Sequence, residues 1–254
     1  LDRVGFMPCN PSIGGPGKSH LVAEVDALGG EMARAADRAL LQVRCLNTSK
    51  GPAVRAVRAQ EDKSLYAIAM KEALELRPNL ELSQDDAVSL KIESVHGFPT
   101  VTGVLVRQVG PISAGAVVVT AGTFLRGALI AGELRIQGAR AGDPADSDLA
   151  HAIAERGFRT RRLKTGTPPR IDARSVDFSA CEPQPGSDVP LWLSRDGANG
   201  DLEPLVLPPA EVHRAYASSG WRSQLSCFRI STNARTHEVI RANTHRAPMF
   251  NGAI

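Results

Sequence analysis

The chain has 254 residues, of which 43% are hydrophobic and 22% are charged, a composition typical of a globular protein with a sizeable core. The net charge is only +3, so any nucleic-acid contact must come from a local basic patch. Aromatic residues make up 4%, which argues against a platform that stacks single-stranded bases. No apolar run reaches membrane-spanning length, and no signal-peptide pattern opens the chain.

The four cysteines lie far apart, at Cys9, Cys45, Cys181 and Cys227, without a CxxC pair. This spacing argues against a disulfide scaffold and favours a reduced, cytosol-like compartment. The histidines show neither HxH nor HExxH spacing, so no metal site is predicted. The first residue is Leu1 rather than Met, and the chain is therefore interpreted as a fragment or a processed product.

The hydrophobic pattern predicts elements throughout the chain. In the first part we expect helices at 18–39 and 53–76, a strand at 40–46 and a turn at 47–54. In the middle of the chain we expect strands at 80–82, 87–93, 101–108 and 114–120. Within the last of these, residues 116–122 resemble a buried central strand whose end meets a ligand. We then expect a helix at 146–156 capped by Asp146 or Ser147, a strand at 158–163, a loop at 179–209, a strand within 221–230 and a helical turn at 236–242.

A glycine-rich turn, Ser12-Ile-Gly-Gly-Pro-Gly-Lys-Ser19, nearly matches a phosphate-binding P-loop, with Ser12 in place of the first glycine. A P-loop follows a buried strand, and residues 1–8 make a poor one. The turn also fits a backbone that approaches a pyrophosphate, a flavin ring or an RNA phosphate, helped by the helix that follows. A plain turn between a loop and a helix is the third interpretation.

Cys9 lies just before this turn, where a helix N-terminus and Lys18 would favour the reactive thiolate. The alternative is a buried, inert cysteine, which is also the local interpretation of Cys227 among its apolar neighbours. A dense basic run suits a phosphate backbone, although a solvated charged face is the other interpretation. Its seven cations are Arg156, Arg159, Arg161, Arg162, Lys164, Arg170 and Arg174.

Eight segments carry a recognisable pattern and run in order over nearly the whole chain. They are Cys9-Asn-Pro-Ser-Ile-Gly-Gly-Pro-Gly-Lys18, Val25-Asp-Ala-Leu-Gly-Gly30, Asn47-Thr-Ser-Lys-Gly-Pro-Ala-Val-Arg55, Arg58-Ala-Gln60, Thr120-Ala-Gly-Thr-Phe-Leu125, Arg140-Ala-Gly-Asp-Pro144, Arg162-Leu-Lys-Thr-Gly-Thr-Pro-Pro-Arg-Ile-Asp172 and Thr232-Asn-Ala-Arg-Thr-His237. Together they resemble one family, the flavoprotein subunit of the tRNA uridine 5-carboxymethylaminomethyl modification enzyme (GidA/MnmG).

The resemblance implies an α/β fold, a partial FAD-binding domain of the glutathione-reductase (Rossmann-like) type at 1–172, β-rich at about 80–115, and an inserted, incomplete NAD-associated domain at 173–254. It implies modification of the wobble uridine of tRNA with FAD, NADH and a one-carbon unit from methylene-tetrahydrofolate. The implied partners are tRNA, a GTPase subunit and a second copy of the complete protein. The implied location is the cytoplasm, or the mitochondrion in a eukaryote.

The resemblance also transfers roles to individual residues. It implies catalytic roles for Cys9 and Cys227, one of which would add to the uracil ring. Nucleic-acid contact is expected from Arg159, Arg161, Arg162, Lys164, Arg170 and Arg174. The cofactor-binding positions that it implies are Gly14, Gly15, Gly17, Lys18, Ala87, Val88, Thr120, Gly122, Thr123, Asp146, Ser223, Gln224, Cys227, Thr232, Asn233 and His237.

Several positions depart from the family pattern. Asp146 stands where the family has serine, and Arg229-Ile-Ser231 replaces an apolar-Thr-His run. The chain contains no GxGxxG turn for the FAD pyrophosphate, so it is interpreted as an internal fragment that binds FAD weakly or not at all. Two other functions stay open: a catalytically inactive fragment or paralogue that retains tRNA or partner binding, and a P-loop-like nucleotide-binding protein.

Overall fold

A computed structural model describes residues 1–140, 142–205 and 221–252. The chain forms two compact units, which interleave in sequence. The first unit comprises Leu1–Leu82 with Thr167–Thr232, and the second comprises Ser83–Gly166 with Asn233–Ile254. The division of family domains at residue 172 stays a prediction. No helix in the described ranges is long and apolar enough to cross a membrane.

The described elements of the first unit are a mixture of helices and strands, and those of the second unit are mainly strands. The strands are β1 Ser12–Gly14, β2 Leu40–Leu46, β3 Ala56–Glu61, β4 Ala87–Val95, β5 Phe98–Val106, β6 Gly110–Ser113, β7 Ala128–Ala131, β8 Leu134–Gln137, β9 Glu182–Gln184 and β10 Cys227–Arg229. The helices are α1 Ser19–Ala27, α2 Met32–Arg38, α3 Lys63–Glu75, α4 Asp148–Glu155, α5 Arg195–Asn199 and α6 Ala234–Asn243.

The single helix predicted at 18–39 is wrong, because the chain forms α1 and α2 with a break between them. Gly29 takes a positive φ of 84°, and its N–H donates to the Asp26 carbonyl, which ends α1. This left-handed conformation costs glycine little and terminates helices frequently. The break lets α2 turn its small residues inward, and Ala33, Ala35 and Ala36 are buried.

The helix predicted at 53–76 is wrong in its first half, where the chain forms β3 instead. The centre of this segment alternates, since Val57 and Ala59 face one side of the sheet while Arg58 and Gln60 face the other. Strand pairing on both edges outweighs its helical propensity, and the sheet order is β1-β3-β2. The helix begins only after Asp62, whose Oδ1 accepts from the N–H groups of Ser64 at 2.8 Å and Leu65 at 3.0 Å.

The core of the first unit lies between this sheet and helices α2 and α3. Val43 on β2 and Ala59 on β3 are almost fully buried against Ala36, Tyr66 and Ala69. Because alternate residues of a strand point to opposite sides, the other face of β2 and β3 carries the polar side chains. The predicted strand at 40–46 is confirmed as β2.

The buried carboxylate of Asp37, at the end of α2, joins the early and late parts of the first unit. It accepts hydrogen bonds from the Leu193 N–H at 3.0 Å, the Ser194 N–H at 2.8 Å and the Ser194 hydroxyl at 2.6 Å. Ser194 Oγ in turn accepts from the Gly197 N–H at 3.0 Å, which caps α5. The predicted loop at 179–209 therefore contains two short elements, β9 and α5, and its residues 206–209 lie outside the described ranges.

Glu61 ends β3 in the same buried region. It is 1% exposed, and neither of its carboxyl oxygens has a hydrogen-bond partner among the described residues. Burial, together with the neighbouring Asp37 carboxyl, raises the pKa of Glu61 to about 9, against the opposing effect of the Arg222 guanidinium. The carboxyl is therefore a neutral acid at pH 7. Burial and the nearby Glu61 also raise the pKa of Tyr66 to about 12.

The second unit is built on an antiparallel sheet in the order β4-β5-β6, against which α4 packs, and on the separate hairpin β7-β8. The strands predicted at 87–93 and 101–108 are confirmed as β4 and β5. Helix α4 confirms the helix predicted at 146–156, and the Asp146 carboxylate accepts from the Leu149 N–H at 3.0 Å.

The strands predicted at 80–82, 114–120 and 158–163 are wrong, because the described chain forms no strand there. A central strand needs a neighbour on each edge, and no described strand pairs with 114–120. Val118 is accordingly 83% exposed. In the last part of the chain, the strand predicted within 221–230 is β10, and the helical turn at 236–242 belongs to α6.

The Asp37 contacts predict a large loss of stability when this carboxylate is removed. We expect Asp37→Ala to lower the free energy of unfolding by about 3 kcal/mol, because it leaves buried N–H groups without an acceptor. Urea denaturation of the purified chain measures this loss. Asp26→Ala is the matched control, since its carboxylate accepts from the Arg195 N–H at an exposed site, and should cost less than about 1 kcal/mol. Equal losses in the two variants would contradict the role given to Asp37.

The buried Glu61 carboxyl predicts that stability falls as pH rises. The unfolded chain loses this proton near pH 4.5, whereas the folded chain keeps it to about pH 9, so unfolding becomes easier throughout that window. The slope from this one group is at most about 1.4 kcal/mol per pH unit. Denaturation at pH 5, 7 and 8.5 should show a flatter pH dependence for Glu61→Gln than for the parent. The control Glu75→Gln, on the exposed side of α3, should keep the parental slope.

Candidate functional site

Polar side chains occupy one face of the three-stranded sheet in the first unit. Directly opposed residues of antiparallel strands lie on the same face, so the register places Arg44 beside Arg58 and Gln42 beside Gln60. Ser12 of β1 is opposite Gln60 and therefore lies on the same face. We call these five residues the polar sheet face. They contrast with the opposite face, where Val43 and Ala59 enter the core.

Cys9 reaches this sheet from the side of β1. It is half-buried, three residues before the strand begins, and its carbonyl accepts a hydrogen bond from an Arg170 guanidinium N–H at 3.2 Å. Strand β1 and the glycine turn separate Cys9 from the first turn of α1. Helix α1 begins at Ser19, within one residue of the predicted start at 18.

Cys227 reaches the same sheet from the side of β2. It lies on β10, opposite Gln184 of β9. The Gln42 side-chain amide contacts this pair of strands by donating to the carbonyls of Gln184 at 2.9 Å and Leu225 at 2.8 Å. An Arg44 guanidinium N–H donates to Gln184 Oε1 at 2.7 Å, so the polar sheet face contacts the strand that pairs with Cys227.

The sheet keeps the two cysteine-bearing segments apart. Strands β1 and β2 are the outer strands of the sheet, and two strand spacings amount to about 10 Å. No disulfide joins the four cysteines, all of which lie in the described ranges. The structure thus places the segments that carry Cys9 and Cys227 at opposite edges of this sheet.

The glycine turn differs from a P-loop. Three of its amides donate within the chain, Gly15 to the Val57 carbonyl at 2.7 Å, and Lys18 and Ser19 to the Gly15 carbonyl at 3.0 and 3.1 Å. These amides cannot surround a phosphate, and this argues against the P-loop interpretation. A Cβ at Gly14 would lie 2.4 Å from the Val57 carbonyl oxygen, so glycine is needed for the contact with β3.

The outer part of the turn is open. Pro16, Gly17 and Lys18 are exposed, and a Cβ at Gly17 would meet nothing within 4 Å. This exposed backbone with a lysine beside it is compatible with a planar, electron-poor ring such as a flavin. The cofactor-binding role of Gly14, Gly15, Gly17 and Lys18 stays a prediction.

The cofactor positions expected in the second unit fall into two places. Ala87 and Val88 begin β4. Thr123 and Asp146 are close to one another, since the Asp146 N–H donates to the Phe124 carbonyl at 2.9 Å, while Thr120 and Gly122 belong to the exposed segment before them. The Asp146 carboxylate also caps α4. These assignments stay predictions.

The positions expected to bind NADH are divided between the units. Ser223, Gln224, Cys227 and Thr232 belong to the first unit, whereas Asn233 and His237 belong to the second. The buried Gln224 side chain accepts from the Val43 N–H at 2.8 Å and donates to the Ser187 carbonyl at 2.7 Å. Asn233 caps α6 by accepting from the Thr236 N–H at 3.0 Å. Both side chains therefore have structural contacts.

The basic run is exposed along its length, from 156 to 174. Arg174 forms a two-point contact with the Asp172 carboxylate, which also accepts the Arg174 N–H at 3.0 Å. Among the described residues, no acidic side chain forms an ion pair with Arg159, Arg161, Arg162, Lys164 or Arg170. The run divides at residue 166 between the two units.

Sequence reasoning missed the arginines and glutamines of the polar sheet face. The signal was the alternation of polar Gln42 and Arg44 with apolar neighbours in β2, and of Arg58 and Gln60 in β3. The helix predicted across residues 53–62 concealed the second half of this pattern. Only the strand register places Arg44 beside Arg58.

Comparison with known proteins gives a consistent result over the whole chain. The family model described as glucose inhibited division protein A matches residues 1–254. The tRNA uridine 5-carboxymethylaminomethyl modification enzyme MnmG of Chloroflexus aurantiacus is 46% identical over 100% of this chain and 39% of the relative. The protein of the same name from Roseiflexus castenholzii is 43% identical over 100% of this chain and 40% of its own length.

Solved structures show the same relationship. The form I crystal structure of Aquifex aeolicus GidA matches with a TM-score of 0.82 and 38% identity, covering 100% of this chain and 39% of that one. Form II matches with a TM-score of 0.81, covering 97% of this chain and 38% of that one. The chain thus spans about two fifths of the length of its relatives. The predicted α/β fold class is confirmed, and the chain belongs to the glucose inhibited division protein A (GidA/MnmG) family.

Proposed function

We propose that this chain is part of a flavin-dependent enzyme that modifies the wobble uridine of tRNA at carbon 5. The observation that carries the proposal is the match along residues 1–254 to a family whose relatives are named for this modification. The polar sheet face supports it, because thiol-bearing segments approach that surface from two sides. The internal bonding of the glycine turn makes a P-loop nucleotidase the poorer alternative.

Residues of the glycine turn and of the segment before Phe124 would hold FAD. The open backbone at Gly17 and the exposed Lys18 suit the edge of a flavin ring, and Gly122 likewise offers backbone without a side chain. FAD supplies redox chemistry when it is bound. NADH as its reductant and methylene-tetrahydrofolate as the one-carbon donor are inferred from the family resemblance alone.

A cysteine thiolate provides the chemistry that uracil needs. Carbon 5 of uracil is a poor nucleophile, and addition of the Cys9 or Cys227 thiolate to carbon 6 would move the ring's double-bond electrons into an enolate. Carbon 5 would then attack an electrophilic one-carbon unit. Loss of the carbon 5 proton to a base and departure of the thiolate would restore the aromatic ring. The second cysteine would act as the acid or base.

The exposed cations at 159–170 would contact the tRNA phosphates, where each contact adds affinity by releasing counterions. A GTPase subunit as partner, a homodimer of the complete protein and a cytoplasmic location (mitochondrial in a eukaryote) are further parts of the proposal. They are supported by the family resemblance.

The thiol mechanism predicts that both cysteines are needed. In a complete enzyme that contains this chain, we expect Cys9→Ser and Cys227→Ser each to slow wobble-uridine modification by about 100-fold or more. Mass spectrometry of the modified nucleoside measures the rate. Cys181→Ser is the control, because the Cys181 thiol donates a hydrogen bond to the nearby Asp177 carbonyl at 3.4 Å and has no role in the proposed mechanism. Parental rates in both active-site variants would exclude the mechanism.

The absence of a GxGxxG turn from these residues predicts little FAD binding by the 254-residue chain alone. The pyrophosphate normally binds to that turn at a helix N-terminus, and the described glycine turn uses its inner amides within the chain. We expect the purified chain to show no flavin absorbance after dialysis. Stoichiometric bound FAD would refute this prediction without refuting the enzyme.

A further inference from the structure

The polar sheet face contains two arginines, Arg44 and Arg58, that form no ion pair within the described part of the chain. Arg44 and Arg58 are directly opposed on neighbouring strands, which places their Cβ atoms about 5 Å apart on the same face. Like charges in this position destabilise a sheet. Both residues are half-buried, so solvent screens their charges less than at an exposed site.

Their hydrogen bonds are to neutral groups. Arg44 donates to the Gln184 side-chain carbonyl at 2.7 Å, and Arg58 donates to the Ser12 hydroxyl at 3.4 Å. In the described ranges, no acidic side chain forms an ion pair with either arginine, although Arg229 on β10 pairs with Glu182. The Nε of Arg58 is buried and has no hydrogen-bond partner among the described residues.

Two glycines lie beside Arg58. Gly14 is opposite Arg58 on β1, so that position of the strand carries no side chain. The Arg58 side chain extends beside Gly15, where a Cβ would be 4.0 Å from Arg58 Cδ. A small anion on the polar sheet face would offset the charges of the two guanidinium groups.

We propose that Arg44 and Arg58 form an oxyanion-binding site on the polar sheet face. Its ligand is a phosphate group or a carboxylate, because guanidinium groups bind the oxygens of both with paired hydrogen bonds. Ser12 adds a neutral hydroxyl to the Arg58 side of the site. The site goes beyond the proposed function, since it requires neither flavin nor tRNA.

Thermal unfolding of the 254-residue chain at constant ionic strength tests this site. The titrants are inorganic phosphate and acetate, each compared with chloride. We expect one of the two oxyanions to raise the melting temperature with a saturating concentration dependence. A stronger effect of phosphate assigns the site to phosphate groups, and a stronger effect of acetate assigns it to carboxylates. No difference from chloride for either anion would overturn the proposal.

Substitutions separate the site from general binding of anions. Arg58→Gln and Arg44→Gln should each raise the apparent dissociation constant of the effective anion by about tenfold, as expected for the loss of a charge-assisted hydrogen bond. Arg229→Gln, which removes a strand arginine that already has a carboxylate partner, should leave the constant unchanged. Equal weakening by all three substitutions would also overturn the proposal.

If a variant fails to fold, the other arginine variant still tests the site. Each substitution relieves the repulsion between the opposed guanidinium groups, so the anion-free variants should melt no lower than the parent. A lower melting temperature together with an unchanged anion response would show that the arginines serve the fold alone, which contradicts the proposal. Failure of the tRNA-modification proposal would not affect this result, because the measurement uses neither tRNA nor FAD.

Discussion

The first unit depends on one buried carboxylate. Asp37 accepts three hydrogen bonds from Leu193 and Ser194, which lie more than 150 residues further along the chain. Arg222 adds a second link by donating to the Asp37 carbonyl at 2.7 Å. These contacts hold a late segment against α2 and the sheet, and the strand pair β9-β10, which carries Cys227, is part of that late segment. The burial of Asp37 makes the arrangement strict, because each of its N–H partners would lose its acceptor if the segment moved.

The three-stranded sheet of the first unit has one apolar face and one polar face. Val43 and Ala59 enter the core, whereas Arg44 and Arg58 occupy the opposite face. An antiparallel sheet with one apolar face permits this division, since alternate residues point to opposite sides. The same three strands therefore support the core and present a cationic surface between the two cysteine-bearing segments. Gln42 and Gln184 connect that surface to the strand pair β9-β10, which carries Cys227.

The strongest local signals in the sequence predicted their elements correctly. The apolar run of β2, the alternating strands β4 and β5 and helix α4 all formed where the pattern placed them. The failures have separate physical causes. Gly29 divided a predicted helix, and pairing with β1 and β2 turned Ala56–Glu61 into a strand despite its helix-forming residues. The run at 114–120 has strong β-propensity, yet a strand also requires a partner, and no described strand provides one.

The sequence by itself determined the family, through motifs such as Cys9 to Lys18 and Arg162 to Asp172 whose order survives along the whole chain. It also singled out the cysteines and the basic run as candidates whose roles stay predictions, because those residue types carry recognisable chemistry in any context. Only the tertiary structure decided which residues share a surface. Arg44 and Arg58 are fourteen positions apart and became neighbours through strand register, and Glu61 became a neutral acid through burial. Register and burial arise from contacts between distant segments, and a local pattern does not contain them.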